Sequence, residues 1–246
     1  MTSLEREVFD QVRAIISNEE QVLGRRDILT PLKKALINEA DIRVVIDTVS
    51  ADPALAAHLL IRANSAQAAG AVQSKNRSVK DALIRLGQVN IYRYAFAFYL
   101  KERLDALVEP YRKLVHGYWQ LTEDIASSAL ELIKQDVDAG KQVNIDVDEV
   151  QTLALFSVFG QVITLTAFAY LNANAEPPLS LRIVKSIIDK QQKSLSLDAF
   201  ENLGLDDDLK QEFMVAHNLA QTTNPNSAGL VLRRVLAKRQ LLINPL

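Results

Sequence analysis

Apolar residues recur along this chain every three or four positions, the spacing that gathers them on one face of an α-helix. Near the amino terminus Leu4, Val8, Val12 and Ile15 keep this register with charged residues between them, which predicts an amphipathic helix. After a polar stretch through Gly24 and Asp27, a second helical pattern opens at Leu32, Leu36 and Ile37 and runs to Asn38. The segment from Asp41 to Ala66 reads as two short helices broken between Ser50 and Pro53. Asp52 can accept from the first free amides of the following helix, and Pro53 at its first position gives up no needed donor, so that helix should run to about Asn64. Ser78 can cap the next one, with Asp81 near its positive end. Val79, Leu83 and Leu86 form its expected buried stripe and Gly87 a left-handed stop.

Between Pro110 and Val137, the residues Leu114, Tyr118, Leu121, Ile125 and Leu132 fall near one face and predict a long helix packed lengthwise on others. An acidic, glycine-containing linker follows, and then Leu153 to Leu171, a run without a charged residue. Its length approaches the roughly 20 residues that cross a bilayer. Gln161, Ser157, Thr164 and Thr166 dilute the run and no Lys or Arg flanks it closely, so it reads as the buried centre of a helical protein. Pro177 and Pro178 interrupt the pattern, and Leu181, Val184, Ile187 and Ile188 restart it. Short helices are expected from Leu195 to Leu203, closed by Gly204, and from Asp206 onward. The last segment sets Leu232, Val235 and Leu236 opposite Arg234 and Lys238.

Composition narrows the function classes. With 246 residues, 48% hydrophobic and 24% charged, the chain can bury about 70–75% of its unfolded surface and needs no metal or disulfide to fold. The absence of cysteine excludes disulfide scaffolds, thiolate zinc sites and cysteine nucleophiles, and it suits a reducing cytoplasm. Charges interrupt the first sixteen residues, unlike a signal peptide, so export is not expected. A formal net charge of −2 provides no global field toward nucleic acid or anionic lipid. The basic residues Lys75, Arg77, Lys80, Arg85 and Arg93, and the run from Arg233 to Gln240, read as solvated helix faces.

Candidate chemistry is sparse. His58, His116 and His217 have no second histidine or acid at metalloprotease spacing, and each is read as a structural or surface residue. Asp136, Asp138, Asp146, Asp148 and Glu149 do not follow the calcium-loop pattern and read as a solvated linker. Asp206 to Asp208 read as helix-capping acids. Glycine-rich phosphate cradles and the serine nucleophile elbow are absent from the sequence. No cofactor and no metal are expected.

The residues DPALAAHLLIRANSA, followed after a gap by SVKDALIRLG, resemble the amino-terminal half of the HDOD family, helical relatives of metal-dependent HD phosphohydrolases. Asp52, Pro53, Asn64, Ser65, Leu86 and Gly87 match the family pattern residue by residue. Further on, YWQLTEDIA is similar to the family's aromatic-x-His-Ser segment, with Trp119 kept, Leu121 at the histidine place and Thr122 at the serine place. ALFSVFG aligns with the Gly-Leu-Leu-His-Asp-Ile-Gly of the central helix. There Ser157 and Val158 stand at the His-Asp pair that bridges metals in catalytic relatives, and Gly160 survives.

The resemblance implies an all-α fold. An N-terminal helical bundle, residues 1–108, would carry the Asp-Pro to Leu-Gly motif, and an HD-like core, residues 109–246, would have lost its metal ligands, the two forming one HDOD-like unit. It implies a non-catalytic bacterial cytoplasmic regulatory module acting through other signalling proteins. Two rival readings stand beside it: a phosphohydrolase whose rebuilt site uses acids such as Asp124, and a nucleotide or nucleic-acid sensor. Asn64, at a helix end, is expected to be chiefly structural.

Overall fold

The computed structural model describes residues 2–18, 22, 26–65, 78–141, 144–173, 179–203 and 205–246. Among these residues the regular structure is helical, with no strand. Gly24, Lys75, Arg77, Pro177, Pro178 and Gly204, each given a role above, lie outside the described residues.

Helix α1 (Ser3–Ile16) opens with a reciprocal cap: the Glu5 amide donates to Thr2 Oγ1 (3.2 Å) and the Thr2 amide to Glu5 Oε2 (2.8 Å). Val8, Val12, Ile15 and Ile16 are buried, whereas Leu4 is about half exposed in the first turn. Helix α2 (Arg26–Ile37) starts before the expected Leu32, because Ile28 and Leu29 already face the core. Leu32 and Leu36 are buried and Ile37 is exposed.

Helices α3 (Ile42–Ser50) and α4 (Pro53–Ser65) are the expected pair, bent by 118° at the break. Helix α5 (Val79–Asp105) begins at the Ser78 cap, where the Asp81 amide donates to Ser78 Oγ (3.1 Å). Leu83 and Leu86 are buried, and Val79 is half-buried. Gly87 sits at φ 71°, ψ 162°, a region closed to side-chain-bearing residues. It acts as a kink rather than an end, since the helix resumes at once with Ile91, Tyr94, Ala95 and Tyr99 buried.

The chain forms two compact units, residues 23–103 and residues 1–22 with 104–246. The expected boundary lay near 108 with all earlier residues on one side. Instead α1 belongs to the larger unit, where it packs on α8 and α9. In the smaller unit α2 packs on α3 and α3 on α4.

Helix α6 (Tyr111–Asp138) is the predicted long helix, but its buried face is rotated from the predicted stripe. Tyr111, Val115, Trp119, Thr122, Ile125 and Ala129 face inward. Leu114 is exposed, and Tyr118, Leu121 and Leu132 are half-buried. The small residues Thr122 and Ala129 are fully buried on this face, and a reading built on large aliphatics passes over them.

The uncharged run is buried as expected, but as two helices, α7 (Val147–Leu155) and α8 (Phe159–Ala173), separated by a turn at Phe156–Val158. Within it, 94% of an 18-residue window is buried in the fold. Helix α8 is buried from Phe159 to Ala169 because α1, α6 and α9 all pack on it. Thr164 and Thr166 satisfy their hydroxyls on the carbonyls of Gly160 (2.5 Å) and Val162 (2.9 Å) within the helix.

Helix α9 (Leu181–Asn202) is continuous where two elements were expected; the polar stretch between Ile188 and Leu195 contains no helix breaker. Helices α10 (Asp207–Ala216), capped by Asp206, and α11 (Ala228–Lys238) complete the unit. Leu232, Val235 and Leu236 are buried as predicted.

Asp138 and Asp146 are exposed, as expected of a solvated linker, but some of its acids also serve the fold. Asp136 pairs with Arg234 (2.5 Å) and Lys141 (2.7 Å), and Asp146 caps α7 by accepting from the Asp148 amide (2.8 Å). Nor are the basic segments simply solvated. Arg93 is buried, and Arg233 donates to the carbonyls of Val215 (2.7 Å) and Ala220 (2.9 Å).

Candidate functional site

The motif residues divide between the two units. Asp52, Pro53, Asn64, Ser65, Leu86 and Gly87 lie in the smaller one, and Trp119, Leu121, Ser157, Val158 and Gly160 in the larger.

In the smaller unit Asp52 holds two jobs. Its Oδ1 accepts from the amides of Ala54 (2.9 Å) and Leu55 (3.2 Å), capping α4, and its Oδ2 accepts from the buried Tyr99 hydroxyl (2.9 Å) on α5. Pro53 then starts the helix at the position where a missing N–H costs nothing. The cap was legible in the sequence; the tie to Tyr99 was not. Asn64 lies half-buried in the last turn of α4, Ser65 closes that helix with its side chain outside the described residues, and Leu86 is buried ahead of the Gly87 kink. Asp52→Ala should cost about 1–2 kcal/mol by removing the cap and the bond from the Tyr99 hydroxyl. The urea midpoint checks this, and Tyr99→Phe should show only the smaller part of the loss.

In the larger unit the segment aligned with the metal-bridging pair is the turn between α7 and α8. Ser157 is buried, and its hydroxyl donates to the Ala154 carbonyl (2.7 Å). Val158 is equally buried. The turn interrupts the helical ladder, and the Ser157 carbonyl is taken by His217 Nε2 (2.8 Å) at the end of α10.

A carbonyl can only accept, so Nε2 carries the proton. Nδ1 is then free to accept from the Ile243 amide (3.3 Å). The neutral imidazole thus joins the α7–α8 turn, α10 and the carboxy-terminal segment, and its ring lies 4.5 Å from that of Phe213. Burial pushes His217 down to about 4, partly offset by its bond to Ser157. The sequence offered a lone histidine and no sign of its partners.

The other histidines differ. His58 packs 5.1 Å from the Phe98 ring, and burial, with positive Arg62 and Lys101 nearby, lowers it to about 4. His116 is exposed and pairs with Asp105 at 2.8 Å.

On α6, Trp119 is buried and its carbonyl accepts from the Thr122 hydroxyl (2.7 Å), while Leu121 is half-buried. These residues do not suit the metal that the HD fold implies. Leu121 and Val158 have no lone pairs, and the Ser157 hydroxyl is engaged within its own turn. Among the described residues no three or more His, Cys, Asp or Glu side chains are grouped so as to hold a metal ion.

The sequence pattern of the HDOD domain matches residues 27–188, well over half of the chain. The chain belongs to the HDOD family. Among curated proteins none matches it. A solved structure from Shewanella amazonensis SB2B, provisionally named a metal-dependent phosphohydrolase, superposes with a TM-score of 0.62 at 13% identity, covering 98% of this chain and 84% of that one. Another, from Marinobacter aquaeolei VT8 and provisionally named a signal transduction protein, gives 0.48 at 19% identity, covering 98% of this chain and 57% of that one. At 13% identity the Shewanella likeness shows a shared fold. It extends that fold past residue 188, where the HDOD match ends, to α10 and α11.

Proposed function

We propose that this HDOD protein is a non-catalytic regulatory module of the bacterial cytoplasm that acts through contacts with other signalling proteins. The observation that carries this reading is the α7–α8 turn. At the place of the metal-bridging pair, Ser157 and Val158 are buried and the polar atoms of Ser157 serve the fold. Hydrolysis by a metal-bound water needs several lone-pair donors and an open coordination position. Here the turn offers a valine side chain and an engaged hydroxyl. Family membership favours a signalling role, and the lack of cysteine suits a reducing compartment.

Protein purified without chelators should carry no stoichiometric transition metal and should not turn over generic phosphoesters or cyclic dinucleotides in added manganese. Elemental analysis and a turnover assay check this together. Stoichiometric metal with turnover abolished by Asp124→Ala would overturn the reading in favour of a rebuilt site. The partner is tested by affinity capture from the native cell followed by reconstitution of the purified pair. Failure of every captured candidate to rebind would count against action through protein contacts.

A further inference from the structure

The larger unit carries a cleft of about 460 Å³ between α6 and α11. Such a volume lies within the roughly 300–1,000 Å³ of small-molecule sites. Its two walls differ in chemistry. Arg234, Lys238 and Arg239 come from the α11 side, and Ser128, Glu131 and Gln135 from α6, with Leu132 and Val235 as apolar lining.

The two arginines are already held in place. Arg239 Nη2 donates to Ser128 Oγ (2.9 Å) and the Asp124 carbonyl (3.3 Å), and Arg234 Nη1 donates to Asp136 Oδ2 (2.5 Å). Each guanidinium has five N–H donors, so both keep several for a ligand, and an anion need not pay to order them. Lys238 is exposed, and among the described residues it makes no ion pair or hydrogen bond. Asp136 offsets Arg234 but is shared with Lys141. Counting Glu131 and Asp136 against Arg234, Lys238, Arg239 and Lys141 leaves two carboxylates to four cations.

We propose that this cleft binds a nucleotide, the cations of α11 holding its phosphate and Glu131 with Gln135 accepting from its sugar or base. Guanidinium forks fit phosphate oxygens in pairs. Glu131 would repel a bare anion, yet it serves a ligand that also presents hydroxyl or amino donors. The apolar lining suits a flat ring. Arg234, Lys238 and Arg239 lie beyond the HDOD match while Glu131 and Gln135 lie within it, so the cationic wall of the site comes from outside the matched region. It stands independently of the non-catalytic reading.

Calorimetric titration of the full chain with AMP, GMP and inorganic phosphate at low salt tests the proposal. At least one nucleotide should bind more tightly than about 1 mM, and phosphate should bind at least tenfold more weakly. Lys238→Glu, which breaks no bond of the fold, should weaken nucleotide binding tenfold or more, while Lys80→Glu in the smaller unit should leave it unchanged. Glu131→Ala should weaken the nucleotide without weakening phosphate. No nucleotide binding, equal affinity for phosphate, or indifference to Lys238→Glu would each overturn the assignment.

Discussion

Moving from pH 7.5 to about 5 should destabilise the protein by about 2 kcal/mol through His217 alone. The imidazole is held near 4 by burial, whereas an exposed histidine titrates near 6.5. Between these values the unfolded chain takes up a proton that the fold refuses. Stability is therefore whole above about pH 6.5 and declines as the pH falls toward 4. Protonation at Nδ1 would also cost the bond from the Ile243 amide. His58, also held near 4, adds a loss of the same sign. His217→Leu should cost roughly 2–4 kcal/mol at pH 7.5, since it leaves the buried Ser157 carbonyl without its partner and takes away the part-buried bond from the Ile243 amide. Its stability should then fall less between pH 7.5 and 5 than that of the native chain. Urea midpoints at the two pH values measure both effects. Identical pH slopes for the two proteins would remove His217 from the account.

Gly160→Val should destabilise by about 3 kcal/mol, through overpacking where α8 meets α9. A Cβ at this position would collide with Ser196 Oγ and lie 3.1 Å from the Gln192 carbonyl oxygen and 3.2 Å from Ser196 Cβ. Ser196 is fully buried and its hydroxyl donates to Gln192 O (2.7 Å), so it has little room to give way. Helix propensity runs the other way, because glycine within a helix is about 1 kcal/mol worse than alanine. Gly160→Ala should nevertheless lower the urea midpoint, and adding Ser196→Ala should restore part of it, a coupling that a double-mutant cycle reads directly. A Gly160→Ala variant more stable than the native protein would mean that the two helices are free to separate. This accounts physically for the one residue of the central motif that the chain keeps: Gly160 sets the distance between helices whether or not a metal is held nearby.

Much of the architecture was legible because its causes are local. The Asp52–Pro53 start of α4, the Ser78 cap, the positive φ of Gly87 and the Asp206 cap each depend on residues within a few positions of one another. The buried run from Leu153 to Leu171 announced itself by the absence of charge, because a helix surrounded by three others has no face left for one. Sequence also carried the family, through Asp52, Pro53, Asn64, Leu86 and Gly87, and the substitutions at Leu121, Ser157 and Val158.

Only the tertiary structure decided the rest, because it depends on partners distant along the chain. Nothing near His217 in sequence announces Ser157, sixty residues earlier, as its acceptor. Nothing near Asp52 announces Tyr99. The inward face of α6 was set by where α7, α8 and α11 come to lie, which favoured Thr122 and Ala129 over Leu114. Helix α1 joined the larger unit because its apolar stripe is covered by α8 and α9, a match no periodicity could foretell. The cationic cleft arose in the same way: Arg234, Lys238 and Arg239 looked like a solvated face until the packing of α11 against α6 placed them around one cavity. Periodicity tells a helix which side to bury, but the choice of what covers that side belongs to the whole chain.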